Sequence, residues 1–384
     1  MSLRSRSVGG ALATLATALV VGCSSTDRPV DRSADSPGSS AAGSPTVPDC
    51  SPAPLRQRAA AVLMVGLPEV TSAEDPLIEE LTDLGVGGVF LAGYNIVDLP
   101  QVQALVSGLR ERSPRPLLVS TDEESGRVSL TRPIVGWGPS PRELAATSTA
   151  PEVREFAAKL GTQLAEIGVD LDLAPSLDLD DGPYDGVIGD RSFSAEPGTA
   201  TRYGLAFSRG LTDAGVAPAV KHFPGQGRSA TDTHTDAGVV DASVDELRES
   251  DLVPFQRAVD AGAPVVMLNH LGYSDLGADL PASLNPAAYE LLREMRFEGV
   301  AMTDSLGMGA VNLRWGFPEA AVRSIEAGAD LALATDGRQA RVMRDAIVRA
   351  VRSGRLPEAR LDEAAARVTA LAGGDAVAMS CLDP

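Results

Sequence analysis

Lysine is almost missing from this chain: only Lys159 and Lys221 occur in 384 residues, and Lys+Arg together number 33 against 52 Asp+Glu, for a net charge of −19. Such a balance leaves no basic face to neutralise phosphates, which excludes nucleic acid as a partner and electrostatic docking on anionic lipid. Aromatic residues make up only 4%, and there are just three histidines and three cysteines. The apolar run Gly9–Gly22 has fourteen residues, short of the roughly 20 that a membrane-spanning helix needs. Against these scarcities stand 44% hydrophobic residues, enough for a real core and incompatible with disorder throughout.

The first 22 residues fall outside any fold. Arg4 and Arg6 precede the apolar run, which ends in Leu19-Val20-Val21-Gly22-Cys23 and reads as an export signal. It resembles the bacterial lipoprotein signal, which implies that Cys23 is lipidated and becomes the new N-terminus, leaving an exported protein held at the extracytoplasmic face of the cell membrane by its lipid alone. An ordinary cleaved signal with an incidental cysteine is the alternative. Residues 23–54 are rich in Ser, Pro, Asp, Gly and Ala, bury too little to order themselves, and read as a tether. Cys50 and Cys381 then stand at the two ends of the remaining chain, and in an exported protein they are expected to form a disulfide, with two free thiols as the alternative.

Residues 55–375 form the expected domain, with 376–384 a tail. Eight short apolar runs recur, at 61–67, 88–91, 117–120, 169–174, 217–221, 264–268, 299–303 and 330–334. Between them lie helical patterns, at 101–110, 151–167, 199–214, 244–261 and 318–327, with apolar residues three and four apart. Several end in glycine, as helix termination prefers. Alternating strands and helices with eight strands predict α/β architecture with a parallel sheet, most simply a single (β/α)8 barrel. A doubly wound open sheet is the alternative, weakened because no Gly-rich dinucleotide fingerprint follows the first strand.

Barrels of this kind place chemistry at the C-terminal ends of their strands. Asp122, Asp172, Lys221-His222, Asn269-His270 and Asp304 fall there, whereas Asp178, Asp180 and Asp336 read as solvated loop acids. After the fifth strand, Phe223-Pro224-Gly225-Gln226-Gly227-Arg228-Ser229-Ala230-Thr231-Asp232-Thr233-His234 is longer than an ordinary βα connection. Asp232 and His234, two apart, can face one side, and a carboxylate beside an imidazole suits a general acid/base. A phosphate loop is discounted because Lys221 precedes the glycines. A metal site built on His222, His234, His270 and Asp304 is the more serious rival, although no His-x-His or His-Glu-x-x-His pair is present.

Lys221-His222-Phe223-Pro224-Gly225-x-Gly227, Asp232-x-His234 and Thr303-Asp304-Ser305-Leu306-Gly307-Met308 resemble glycoside hydrolase family 3, in particular its single-domain β-N-acetylglucosaminidases. Asp122-x-Glu124-x-Gly126-Arg127, Gly168 to Pro175 and Gly189-Asp190-Arg191-Ser192-Phe193 extend the resemblance over nearly the whole domain. It implies a retaining hydrolase in which Asp304 attacks the anomeric carbon while His234, supported by Asp232, protonates the leaving oxygen and later activates water. Histidine suits this task because its unperturbed pKa lies near 6.5, whereas a Glu would need raising by roughly 2 units, about 2.7 kcal/mol, to stay protonated near neutrality. The resemblance also implies that Asp122, Arg191, Lys221 and His222 hold the sugar. Arg127 is a further candidate, with an ion pair to Asp122 or Glu124 as its structural alternative. Met308, with Tyr184 or Trp315, would form an apolar wall in an otherwise polar site. No metal or organic cofactor is implied, and a monomer is expected.

Three positions depart from the family pattern. Gln226 replaces the usual second histidine of the loop, Ser125 the first glycine of Glu-Gly-Gly, and Leu130 a common sugar-binding arginine, for which Arg132 is the candidate substitute. The leading expectation is an exo-β-N-acetylglucosaminidase acting on cell-wall fragments such as the GlcNAc-MurNAc unit. A family 3 β-glucosidase, a phosphorolytic variant, a metal-dependent amidohydrolase and a catalytically impaired sugar-binding lipoprotein follow.

Overall fold

The computed structural model describes residues 50–383. Cys23, the signal and most of the tether therefore lie outside the described residues. Eight parallel strands form the centre: β1 (Leu63–Gly66), β2 (Gly88–Leu91), β3 (Leu118–Thr121), β4 (Leu171–Asp172), β5 (Ala217–Phe223), β6 (Val265–Leu268), β7 (Val300–Thr303) and β8 (Ala332–Ala334). Each pairs with its sequence neighbour, and β1 pairs with β8 through Leu63↔Ala332. The parallel bridge Met302↔Leu331 joins β7 to β8 and closes the ring. The fold is the (β/α)8 barrel that the strand count predicts.

Alternation along the strands builds two cores. Val265, Met267, Val300, Met302, Leu331 and Leu333 point into the barrel, while Val266, Leu268, Ala301, Ala332 and Ala334 pack outward against the helices. Because both faces are covered, the strands carry apolar residues at nearly every position. Val368, on the additional helix Glu358–Leu371, joins the interior cluster. Nearby, buried Asp330 ties Arg293, Arg360 and Arg367 together at 2.7, 2.6 and 3.1 Å. Those contacts hold the helices Pro286–Glu294 and Glu358–Leu371 against the base of β8.

The pattern at 244–261 resolves into two helices, Val244–Glu249 and Leu252–Asp260. Pro254 explains the break: its ring would meet the carbonyl of Ser250, four residues back, in a continuous helix. Ser250 instead adopts φ −136° and ψ −83°. Helix Gly309–Ala327 is likewise kinked, at Gly316 with φ 63°, so the regular stretch near Pro318 matches the sequence pattern while the seven residues before Gly316 form a separate helical segment. Gly85 and Gly168 end their helices in the left-handed region, at φ 69° and 96°.

Cys50 and Cys381 form a disulfide with Cα atoms 5.6 Å apart. It joins the start of the described chain to the short helix Ala376–Ser380, whose Met379 carbonyl also accepts the Ala53 amide at 3.0 Å.

Candidate active site

β5 supplies the centre of the site. A register shift against β6 between Val220 and Phe223 interrupts the inward–outward alternation, so consecutive Lys221 and His222 both line one cavity. Lys221 is buried, and its ammonium meets Asp122 and, at 2.7 Å, Glu124. Glu124 in turn accepts a two-pronged pair from Arg191, Nε at 2.8 Å and the terminal nitrogen at 2.7 Å. Burial opposes the charge on Lys221 and on Glu124, but the opposite charges around them prevail: Lys221 is held above the usual lysine range and Glu124 well below the usual carboxylate range. The result is a connected Asp122–Lys221–Glu124–Arg191 lattice.

His222 is oriented from below. Its Nδ1 lies 2.6 Å from Asp178 Oδ2. The Gln226 amide donates to the other Asp178 oxygen at 2.7 Å. Asp178 is fully buried and held below its ordinary pKa: burial would raise it, but the charge and hydrogen bond of His222 and the Gln226 amide outweigh that. It is thus no solvated loop acid, contrary to the sequence expectation. The reason is topological, because the chain keeps pairing with β5 past the end of β4, through the bridge Ser176↔Lys221 and the Leu177 amide on the Lys221 carbonyl at 2.6 Å. Asp180 is likewise half-buried and structural, accepting the amides of Gly182 and Gly189 at 2.6 and 2.7 Å. Asp336 caps a short turn and pairs with Arg338 at 2.7 Å.

Asp304 follows β7, accepting the Ser305 amide at 2.7 Å. His270, His222 and that amide overcome its burial and keep the carboxyl below its ordinary pKa, so it is available as an anion. His270 itself is buried between the Ser283 hydroxyl at 2.6 Å and the Ser305 carbonyl at 2.8 Å. A carbonyl only accepts, so Nε2 carries the hydrogen and Nδ1 accepts from Ser283 in the neutral ring, the form that burial favours. Across the cavity, His234 Nδ1 lies 2.7 Å from Asp232 Oδ1, which also accepts the His234 amide at 3.0 Å. These two bonds lower the Asp232 pKa. The pair is open, with side chains 71% and 53% exposed, and Nε2 has no hydrogen-bond partner among the described residues.

The cavity measures about 330 Å³. Asp122, Arg127, Arg191, Lys221, His222, Asp232, His234, Asp304 and Met308 all line it, as do Gln226 and Gly186. Arg127 pairs with Asp190 at 2.6 Å, rather than with Asp122 or Glu124, and donates to the carbonyls of Gly186 and Ile188 at 2.6 and 2.8 Å. It fixes the loop after β4 as well as facing the cavity. The remaining aromatic expectation fails. Tyr184 is exposed beside Arg142, and Trp315 lines a different cavity, so neither walls this one. Arg132 does not replace a sugar ligand: it lies over the Trp137 ring at 3.6 Å and donates to the Gly126 carbonyl at 2.8 Å. Leu130 packs onto the barrel interior. Two contributors were missed from sequence, Asp178 and Glu124. The second had a signal, since it stands two residues from Asp122 and alternation brings both to one side.

Fold and site together define a barrel glycosidase, with an ionised carboxylate and a separate imidazole–carboxylate pair on one polar cavity. The family described as glycosyl hydrolase family 3 N terminal domain matches residues 55–371, and the chain belongs to that family. It is 38% identical to beta-hexosaminidase LpqI of Mycobacterium tuberculosis, an alignment covering 94% of this chain and 96% of that protein. A solved family 3 glycosyl hydrolase from Mycobacterium smegmatis superposes with a TM-score of 0.77 at 39% identity, covering 83% of this chain and 97% of its own. A family 3 β-N-acetylglucosaminidase from Paenibacillus superposes at 0.80 with 34% identity, over 83% of this chain and 62% of the larger protein.

Proposed function

We propose that the chain is a retaining exo-β-N-acetylglucosaminidase that removes terminal GlcNAc from cell-wall fragments. The observation that carries this reading is the convergence on one cavity of Asp304, the His234–Asp232 pair and the Asp122–Lys221–Glu124–Arg191 lattice. Relatives named beta-hexosaminidase at 38% identity over almost the full length support it.

In the first step Asp304 attacks the anomeric carbon as the glycosidic bond breaks, and His234 Nε2 gives its proton to the departing oxygen. Asp232 holds the ring by Nδ1 and stabilises its charged form. In the second step His234 takes a proton from water, the water oxygen bonds to the anomeric carbon, and Asp304 leaves as carboxylate. Asp122 and the cations beside it hold the sugar hydroxyl and acetamido groups, and Met308 supplies the apolar contact. A neutral or cationic imidazole repels an anionic acceptor less than a carboxylate does, so phosphate competes with water in the second step. Comparison of the sugar products with and without phosphate checks that point.

The same reading keeps Cys23 as the lipid anchor and the protein as an exported monomer at the membrane surface. The enzymatic claim is tested with aryl β-N-acetylglucosaminide and aryl β-glucoside, comparing wild type with Asp304→Ala and His234→Ala. Release from the acetamido sugar, abolished in Asp304→Ala, is expected. Release from the glucoside alone assigns the β-glucosidase alternative, and none from either sugar by folded protein overturns the enzymatic reading.

A further inference from the structure

The loop that carries His234 is docked, by its backbone, on the element that follows the nucleophile. Gly309 and Ala310 open the helix Gly309–Ala327, whose N-cap Met308 makes no side-chain capping bond. The first amides of a helix have no partner within it. Here they find partners in the acid/base loop: the Gly309 amide donates to the His234 carbonyl at 2.8 Å and the Ala310 amide to the Thr233 carbonyl at 3.2 Å. Thr233, between the exposed Asp232 and His234, is 1% exposed. The loop therefore caps the helix, and the helix in turn fixes the backbone from which the imidazole projects.

The approach is close enough to demand glycine. A Cβ on Gly309 would stand 2.6 Å from the Thr235 carbonyl oxygen and 2.8 Å from that of His234, both backbone atoms that cannot rotate away. Four residues, Ser305 to Met308, separate Gly309 from Asp304, and Met308 lines the sugar cavity. A single short segment thus carries the nucleophile, an apolar wall of the cavity and the dock for the acid/base loop.

We propose that Gly309 is a positioning residue for His234, setting the distance of the acid/base from the nucleophile through the backbone bonds of residues 309 and 310 to residues 234 and 233. This rests on the glycosidase reading above and adds to it. Gly309 touches no reacting atom. Its substitution displaces the imidazole while leaving Asp304 and the sugar-holding lattice in place.

The test is the dependence of rate on leaving group in Gly309→Ala, with thermal unfolding measured alongside. A 2,4-dinitrophenyl leaving group needs little protonation, whereas an alkyl or methylphenyl group needs the acid. The expected result is kcat/KM within about threefold of wild type for the dinitrophenyl β-N-acetylglucosaminide and a fall on the order of 100-fold for the poor leaving group. Added azide should restore turnover of the dinitrophenyl substrate, attacking the anomeric carbon of the glycosyl-enzyme without a base and displacing Asp304 to give the glycosyl azide. His234→Ala should show the same signature more strongly. Equal losses on both leaving groups, or wild-type rates on both, overturn the proposal. Should Gly309→Ala fail to fold, Ala310→Pro carries the same comparison, because it removes one donor in a first helical turn that accepts proline. If wild type itself cleaves neither substrate, the glycosidase reading has failed and not the assignment of Gly309.

Discussion

Two fully buried aspartates, Asp172 and Asp178, respond in opposite ways to burial, and each difference has a local cause. Asp178 has His222 and the Gln226 amide to hold its charge, so its pKa is lowered. Asp172 accepts only the Glu123 amide, at 2.9 Å, while its other oxygen has no partner. Desolvation, with Glu123 nearby, pushes its pKa well above the ordinary value. The lowered pKa of Asp178 contributes stability that is present above its unfolded value, about 3.9, and is lost as pH falls through the lower folded value. Asp178→Ala should cost about 3 kcal/mol at neutral pH by leaving His222 without its buried partner, and urea unfolding at pH 7 measures it. Asp172 has the opposite sign: its contribution is present below its unfolded pKa and is lost as pH rises through the raised folded value. Asp172→Asn, which mimics the protonated acid, should flatten the decline in stability that wild type shows as pH rises from the unfolded value, about 3.9, through the raised folded value. A series of melting temperatures against pH checks both signs.

Asp304, with its lowered pKa, remains charged through the ordinary carboxylate range. Any loss of kcat/KM between pH 7 and about 5 therefore belongs to another group than Asp304. In the His234→Ala protein, with a dinitrophenyl leaving group, the alkaline-side limb of kcat/KM, on which a general acid loses its proton, should disappear. A limb of unchanged position would transfer it away from His234.

The long connection after β5 shows how an element is fitted to its neighbours. Gly227 lies against the strand-four connection so closely that a Cβ would stand 1.9 Å from the Leu179 carbonyl oxygen. Gly227→Ala should cost about 1–3 kcal/mol through forced backbone displacement and lower kcat/KM with it, measurable by unfolding and by hydrolysis of an activated substrate. The motif Lys221 to Gly227 was legible because lysine and histidine are rare in this chain and here fall together at a strand end. Asp178 was not, because Leu177-Asp178-Leu179-Asp180-Asp181 has the composition of a solvated loop. Only the continued pairing with β5 turns Asp178 beneath His222. The helical pattern at 244–261 misled in a similar way, since periodicity continues across Pro254 while the backbone does not. Tyr184 and Trp315 sit near motif residues in sequence, but neither reaches the cavity walls in space.

Across the whole domain the eight-strand alternation was readable because both barrel faces are covered and most strands are dense apolar runs. The ends are held together by the Cys50–Cys381 disulfide, which closes a loop spanning 331 positions. Cross-links of such long loops restrict the unfolded chain, typically by about 2–4 kcal/mol. Reduction, or Cys50→Ser with Cys381→Ser, should lower the unfolding free energy by that amount, read from denaturant unfolding, while leaving kcat/KM near wild type, because neither cysteine lines the cavity that holds Asp304 and His234.

The central claim is that Asp304 forms a glycosyl-enzyme. It is tested most directly by inactivating the protein with a fluorinated GlcNAc-type donor that forms the adduct faster than it loses it, then digesting and sequencing the labelled peptide by mass spectrometry. One sugar on the peptide containing Asp304 is the predicted result, with no label in Asp304→Ala. A label on another carboxylate, or full turnover with no covalent species at any time, would contradict the assignment.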